Sequence, residues 1–187
     1  MEIIELTNSQ WLREIHKIIM SQKHCIAWGI QDTSVVLIPH RGAVDEQLCY
    51  DMGYMVYEAF NLSGGVIITN EGDFEIGHFG KFDNKWVNQF GESLAEWLKS
   101  KGLNAEYKDN DVLVDDYKVC GTCVTRYGSI DYTGGHIGIN TEFEDIKKIC
   151  TKPMNKVPKG LSEFGITTEE VKEWFLDFCK KDEESYK

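Results

Sequence analysis

The sequence predicts an α+β domain in which a mostly antiparallel sheet is flanked by helices. Segments rich in β-branched and aromatic residues fall into two groups, residues 54–79 and 103–140, broken by glycine, asparagine and aspartate. Amphipathic helical patterns precede, separate and follow these groups. Strands that cluster along the chain, with helices between the clusters, are typical of this fold class.

Length and composition predict one globular domain over residues 1–180 and an exposed tail at 181–187. A chain of 187 residues buries about 70 per cent of its unfolded surface on folding. This is enough to form a stable core without disulfide bonds or a structural metal. Hydrophobic residues make up 42% and charged residues 27% of the chain, as in ordinary soluble proteins. We find no internal repeat and no linker composition.

The charge argues against two classes of partner. The formal net charge is −11 and the pI is near 4.9, whereas nucleic-acid binding depends on lysine and arginine replacing condensed counterions. The same charge disfavours docking on an anionic membrane surface, and no stretch approaches the ~20 apolar residues of a membrane span. The N-terminus lacks the pattern of a signal peptide. We therefore expect a cytoplasmic protein, with no nucleic-acid or membrane partner, whose six cysteines are reduced thiols.

The elements of the first half follow from hydrophobic spacing. Residues 9–20 carry apolar side chains at helical spacing and predict the first element, an amphipathic helix. The β-prone runs at 24–30 and 34–39 are separated by a polar turn, which predicts a hairpin. Residues 43–53 predict a helix that ends at a glycine, and the first group of strands follows it.

The second half begins with the longest predicted helix, at residues 82–100, with Asp83 as its cap. The second group of strands follows, with a tight turn at Asp115 and Asp116. A short helix at 142–150 leads into a loop at 151–165.

The final amphipathic helix begins at a capping box formed by Thr167 and Glu170. In such a box the side chain of each of the two residues accepts a hydrogen bond from a backbone N–H at the start of the helix. These N–H groups have no partner within the helix itself.

One stretch, NDVLVDDYKVCGTCVTRYGS at 110–129 followed by HIGIN at 136–140, resembles the catalytic domain of lipoate-protein ligases. In that family an Asn-Asp pair precedes a few β residues, a turn, an essential lysine, a glycine-containing strand of small residues and a strand that ends in asparagine. The matching positions here are Asn110, Asp111, Lys118, Gly121 and Asn140.

Two further segments extend the resemblance, so that it runs collinearly from about Cys25 to Cys179. FNLSGGVIITNEGD, residues 60–73, is similar to the family's serine-glycine-glycine loop. VPKGLSEFGITTEEVKEWFLDFC, residues 157–179, is similar to its basic loop and to the opening of its last catalytic-domain helix. The resemblance implies the fold shared with biotin protein ligases.

The resemblance also implies a reaction. A carboxylate such as lipoate or octanoate is activated by ATP and Mg²⁺ to an acyl-adenylate, and the acyl group then passes to a lysine of a lipoyl-carrier protein domain. Larger members carry an additional C-terminal domain that assists activation, so a separate accessory domain protein is a further implied partner.

The resemblance assigns roles to residues. Lys118 would hold the acyl carbonyl and the phosphate oxygens, for which a compact cation is suited. Asn110 and Asp111 would lie beside the adenylate, with Asp111 as a magnesium ligand. Gly121 and His136 would border the pocket.

The loop residues Ser63, Gly64 and Gly65 would bring main-chain N–H groups close to the ligand. A turn between strands explains a glycine pair equally well. The chain has no Walker-type or Rossmann glycine motif that could hold the nucleotide instead.

Cys120 and Cys123 invite a redox or zinc hypothesis, which their setting argues against. Residues three apart in a strand point to opposite faces, and no second ligand pair is present. Cys123 could instead be the nucleophile of a cysteine-dependent octanoyl or lipoyl transferase of the same fold, because a thiolate can carry an acyl group as a thioester. It could equally be a small residue at a position where the family has alanine.

The sequence departs from the family pattern in three places. Asn61 and Leu62 stand where arginines usually precede the serine, and Asn70 and Glu71 replace a His-Asp pair. The positions of the family's double histidine hold threonine and glycine, with His136 following two residues later. These departures keep open a third hypothesis, a catalytically inactive homologue that acts as a binding or scaffold protein.

Overall fold

The computed structural model describes residues 2–6, 11–58, 66–80, 84–127, 130–151 and 154–185. Within these residues the chain forms two β-sheets and five α-helices, which confirms the predicted α+β class. The helices are α1 (Trp11–Ser21), α2 (Glu46–Asp51), α3 (Asn84–Ser100), α4 (Phe143–Ile149) and α5 (Thr168–Ser185). The strands are β1 (Glu2–Glu5), β2 (Cys25–Ile30), β3 (Val35–Ile38), β4 (Met55–Glu58), β5 (Ile67–Thr69), β6 (Phe74–Gly80), β7 (Ala105–Lys108), β8 (Asp111–Val114), β9 (Tyr117–Tyr127) and β10 (Ile130–Ile137).

The larger sheet has seven strands in the order β1-β2-β6-β10-β9-β8-β7. Every neighbouring pair is antiparallel except β1 with β2. The smaller sheet has the order β4-β3-β5, with β3 and β4 parallel. It packs with α2 and α4 around its own apolar cluster, which includes Val36, Ile38, Cys49 and Ile149.

The predicted hairpin of β2 and β3 is wrong, because the two strands belong to different sheets. The backbone of Gln31 continues the pairing of β2 with β6: its N–H bonds Asp73 O at 2.9 Å, and its carbonyl accepts from Gly72 N at 2.8 Å. Since both runs are almost fully buried, their apolar pattern carries no alternation that could identify their partners. The parallel edge strand β1 is an element that the sequence reasoning did not find.

Helices α3 and α5 cover one face of the large sheet. Trp86, Phe90, Leu94 and Leu98 recur every four residues along α3 and are at most 1% exposed. Burying each such side chain contributes roughly 1.5–3 kcal/mol. The predicted cap Asp83 lies outside the described residues.

The capping box of α5 is present as predicted. Thr167 N donates to Glu170 Oε2 at 3.0 Å, and Glu170 N donates to Thr167 Oγ1 at 3.3 Å. Among the described helices, none is long and apolar enough to cross a membrane.

The opposite face of the large sheet is covered at one end. There Ile18 of α1 packs with Cys25, Phe79 and Ile130 in a separate apolar cluster. We call this side of the sheet the open face, because it is the face opposite the α3 and α5 layer.

Candidate functional site

The open face carries two rows of residues that run across the strands. Phe74, Ile76 and Ile137 belong to the core under α3 and α5, so the residues that alternate with them lie on the open face. In register from β2 to β8, the first row is Gly29, Glu75, His136, Gly121 and Asp111. The second row is Ala27, Gly77, Gly134 and Cys123.

Lys118 joins the first row at its β8 end. Its Nζ lies 2.8 Å from Oδ1 of Asp111, and the other carboxylate oxygen, Oδ2, lies 2.8 Å from Nζ of Lys156. The Asp111 side chain is 13% exposed while that of Lys118 is 38% exposed. One largely buried carboxylate therefore holds two ammonium groups near the surface, where they can meet an anion.

Gly121 provides the space for this arrangement. A Cβ at that position would lie 2.9 Å from both Cε and Nζ of Lys118 and 3.5 Å from Oδ1 of Asp111. A side chain there would displace the ammonium of Lys118, so glycine is required to keep the lysine in this place.

The loop before the last helix brings Lys156 to the site. Lys118 N donates to Val157 O at 2.8 Å, and Lys159 N donates to Lys118 O at 3.0 Å, so the loop pairs with the start of β9. The turn that precedes β9 places Asp115 and Asp116 at φ of 49° and 67°, as the predicted tight turn requires. The sequence reasoning did not select Lys156, because it stands in an irregular loop without a spacing signal.

Asn110 lies in the turn just before Asp111, with φ of 63°. Its carbonyl accepts from Thr122 N at 2.8 Å and from Thr122 Oγ1 at 2.9 Å, which ties the turn to β9. Its side chain is exposed, and its Oδ1 accepts from Tyr107 Oη at 3.4 Å rather than contacting either lysine of the pair.

His136 stands on the other side of Gly121 and is held by a buried carboxylate. Its Nε2 lies 3.1 Å from Oδ2 of Asp73, which is fully buried, and 4.0 Å from Oε1 of Glu75. Burial acts to lower the pKa of His136, but the charges of Glu75 and Asp73 outweigh it, so the pKa is raised. Burial raises the pKa of Glu75 to about 7, and the charge of Asp73 adds to this shift while that of His136 opposes it.

Asp73 and Glu75 are functional-site candidates that the sequence reasoning missed. Both stand in DFEIGHF, where acidic residues alternate with Phe74 and Ile76. An acidic residue every second position in an otherwise apolar strand is the signal that could have identified them, because it predicts two carboxylates on one face.

The two cysteines separate as the strand geometry predicts. Cys120 is 1% exposed and belongs to the core under α3 and α5, and burial raises the pKa of its thiol far above the usual range. Cys123 is half-buried and stands in the second row, opposite Gly134. All six cysteines lie in described residues, and none is in a disulfide bond.

The predicted glycine loop, with Ser63, Gly64 and Gly65, lies outside the described residues, as do Asn61 and Leu62. The residues after it have structural roles. Asn70 is buried and accepts from Tyr54 Oη at 2.8 Å, and Asn140 Nδ2 donates to the carbonyl of Glu71 at 2.6 Å.

The magnesium ion that the resemblance implies does not fit the side chains around Asp111. Both oxygens of that carboxylate are engaged by ammonium groups, whereas Mg²⁺ prefers an octahedron of oxygen ligands. No group of three or more His, Cys, Asp or Glu residues in the described part of the chain could hold a metal ion. The role of Asp111 as a metal ligand stays a prediction, and we assign no step to the ion.

A family model, described as the lipoyl protein ligase A/B catalytic domain, matches residues 20–178. The chain belongs to this family. The lysine pair therefore lies within the catalytic domain of a lipoyl protein ligase homologue. A search of curated proteins found no match.

Solved structures share the fold of this lipoyl protein ligase homologue at low sequence identity. A bipartite lipoate protein ligase from Thermoplasma acidophilum, solved in work that includes its E2 lipoyl domain, matches with a TM-score of 0.78 and 15% identity over 96% of this chain and 82% of that one. A lipoate-protein ligase A bound with ATP has a TM-score of 0.77 and 14% identity over 96% and 84%. P. falciparum LipL1 in complex with lipoate has a TM-score of 0.76 and 15% identity over 99% and 62%.

Proposed function

We propose that this chain activates lipoate, or a related carboxylate such as octanoate, with ATP and transfers the acyl group to a lysine of a lipoyl-carrier domain. The observation that carries the proposal is the position of Lys118. Its ammonium is held over Gly121 by Asp111, on the open face, and the sequence motif around it resembles that of the family's essential lysine.

The lysine pair suits the charge that develops in the reaction. When a carboxylate oxygen attacks the α-phosphate and pyrophosphate leaves, negative charge grows on the phosphate oxygens. Lys118 and Lys156 are both held by Asp111, and Lys156 also lies 4.0 Å from the exposed carboxylate of Asp109. The two ammonium groups are thus placed side by side before a phosphate arrives, and such preorganised positive charge stabilises phosphoryl transfer.

The glycines of the two rows make room for side chains that a ligand would contact. Lys118 lies over Gly121, and Tyr132 lies over Gly134 and Gly77. Once the adenylate has formed, attack by the acceptor amine on the acyl carbonyl releases AMP and leaves an amide.

The proposal includes two protein partners and a cellular location. The acceptor is a lipoyl-carrier domain, and a separate accessory domain protein assists activation, for which the bipartite Thermoplasma ligase is a precedent. The reducing cytoplasm suits its six cysteines, which form no disulfide bond.

Detection of the adenylate by mass spectrometry tests the proposal. The protein is incubated with ATP and magnesium and with lipoate, octanoate or biotin in turn, and we expect an adenylate of lipoate or octanoate. Lys118→Ala should abolish it, whereas Lys99→Ala, which removes an exposed lysine of α3, should not. No adenylate and no heat of binding with any of the three acids would contradict the proposal and favour the inactive scaffold.

The position of Cys123 favours a second candidate, the cysteine-dependent acyltransferase. The residue is half-buried on the same face as Lys118, where an acyl group could reach it. Trapping an acyl-thioester on Cys123 by mass spectrometry would support this candidate. Loss of transfer in Lys118→Ala together with full transfer in Cys123→Ala would reject it.

A further inference from the structure

His136 and Lys118 border the same small area of the open face. His136 lies directly opposite Gly121 in the ladder of β10 and β9, and the space above Gly121 is filled by the ammonium of Lys118. Side chains that face each other across a ladder have Cβ atoms about 4.5–5.5 Å apart. The imidazole therefore lies within reach of any group bound to the lysine, and its side chain is 20% exposed.

Asp73 fixes the imidazole in one orientation. Its Oδ1 accepts from the N–H groups of Ile139 at 2.6 Å and Asn140 at 2.9 Å, and its Oδ2 accepts from Asn70 N at 2.7 Å. This fully buried carboxylate, held by three backbone N–H groups, then accepts a hydrogen bond from Nε2–H of His136 at 3.1 Å. With the proton of the neutral ring assigned to Nε2 by this bond, Nδ1 is the nitrogen that can accept another.

Glu75 adds a second carboxylate beside the ring. It faces His136 directly across the ladder of β10 and β6, with Oε1 4.0 Å from Nε2. An imidazole between two carboxylates has an increased affinity for a proton, which is the property required of a general base. In serine hydrolases, too, a buried carboxylate orients the histidine that acts as the general base.

We propose that His136 is the general base of the acyl-transfer step, with Asp73 as its positioning residue. The inference rests on the proposed function and adds a catalytic group to it. The neutral amine of the acceptor lysine attacks the acyl carbonyl as the N–C bond forms. The C–O bond to the phosphate breaks and AMP leaves with the electron pair. Nδ1 of His136 takes the proton that the nitrogen must lose, and the amide forms without a change of oxidation state.

Separate measurement of the two half-reactions tests the inference. Activation is followed as adenylate formed without acceptor, and transfer is followed from synthetic lipoyl-adenylate to an E2 lipoyl domain. His136→Gln should slow transfer by ~10²–10⁴-fold, the usual contribution of a general base, and leave activation unchanged. The control, His40→Gln, alters an exposed histidine whose ring bonds the carbonyl of Arg41 and should change neither rate.

The pH profile of transfer provides a readout that a merely structural role would not move. Asp73, Glu75 and Lys118 are the charged groups that act on His136. The ratio of wild-type to His136→Gln rates should rise with pH through the titration of His136, because only the neutral ring accepts a proton. Titration of the acceptor lysine cancels in this ratio. In His136→Ala, added imidazole should restore part of the rate.

The outcomes separate this inference from the proposed function. Unchanged transfer in His136→Gln, or an equal loss in both half-reactions, would overturn the general base while leaving activation by wild type in place. Transfer without activation by wild type would contradict the proposed activation but not the His136 comparison. A wild type that does neither would overturn both.

Discussion

The ammonium of Lys118 occupies the space that a side chain at residue 121 would need. A Cβ there would lie 2.9 Å from Nζ, and the far end of a lysine can move to avoid it. We expect Gly121→Ala to leave the free energy of unfolding within about 1 kcal/mol of wild type while adenylate formation falls by about tenfold or more, because the charge is displaced. Urea unfolding and the adenylate assay check this. Full activity, or a fold lost together with activity, would contradict it.

Lys156 should contribute to nucleotide binding through its charge. It shares Asp111 with Lys118 at 2.8 Å and its side chain is 27% exposed. We expect Lys156→Met to raise the KM for ATP by about tenfold with a smaller effect on kcat, because the methionine keeps the packing and loses the cation. The matched control is Lys148→Met, on α4, where the lysine pairs with Asp145. An unchanged KM for ATP would show that only Lys118 meets the phosphates.

Glu75 should make stability depend on pH. Its pKa rises from 4.5 to about 7 on folding, so between these values the folded state holds a proton that the unfolded state has lost. The contribution of Glu75 to the free energy of unfolding is therefore fully present below pH 4.5. It is lost as the pH rises towards 7, which lowers the free energy of unfolding by up to about 3 kcal/mol.

Replacing the ionisable group isolates this effect. We expect Glu75→Gln to match wild type in urea unfolding at pH 4.5 and to be more stable than wild type at pH 8, because the amide carries no charge to desolvate. His136, whose pKa is raised in part by the charge of Glu75, contributes in the same direction, and Glu75→Gln removes that part of its contribution as well. A variant less stable than wild type at pH 8 would contradict the account.

We expect the acyl chain to lie along the second row, where Tyr132 would limit its length. Its hydroxyl lies 2.5 Å from where a Cβ on Gly134 would be, and its Cε2 lies 2.9 Å from the same point on Gly77. The ring thus covers the middle of the second row. We expect Tyr132→Ala to shift adenylate formation towards longer acids in a series from butyrate to palmitate, and Tyr132→Phe to keep the wild-type profile. Identical profiles in all three proteins would exclude Tyr132 from the pocket wall.

The sequence predicted the parts of the fold that depend on local chemistry. The apolar repeat of α3, the capping box at Thr167 and the turn at Asp115 all follow from neighbours along the chain. The assignment of β2 and β3 to different sheets could not be predicted in this way. Buried strands that do not alternate apolar and polar residues look alike whichever sheet they join.

The same limit applies to the site. Lys118, Asp111 and Gly121 stand together in one motif, and strand geometry alone brings them into contact. Lys156 and Asp73 reach the site from a loop and from the start of another strand, 45 and 63 residues away from their partners. Contacts at such separations are fixed by packing of the whole domain, which periodicity does not report.

The central claim is that the Lys118 site activates a carboxylate, and lipoate-dependent exchange of labelled pyrophosphate into ATP tests it most directly. We predict exchange by wild type that requires lipoate or octanoate and falls by ~10²-fold or more in Lys118→Ala, the usual effect of removing one group that stabilises transition-state charge. Absence of lipoate-dependent or octanoate-dependent exchange in wild type, or equal exchange in the variant, would contradict the claim.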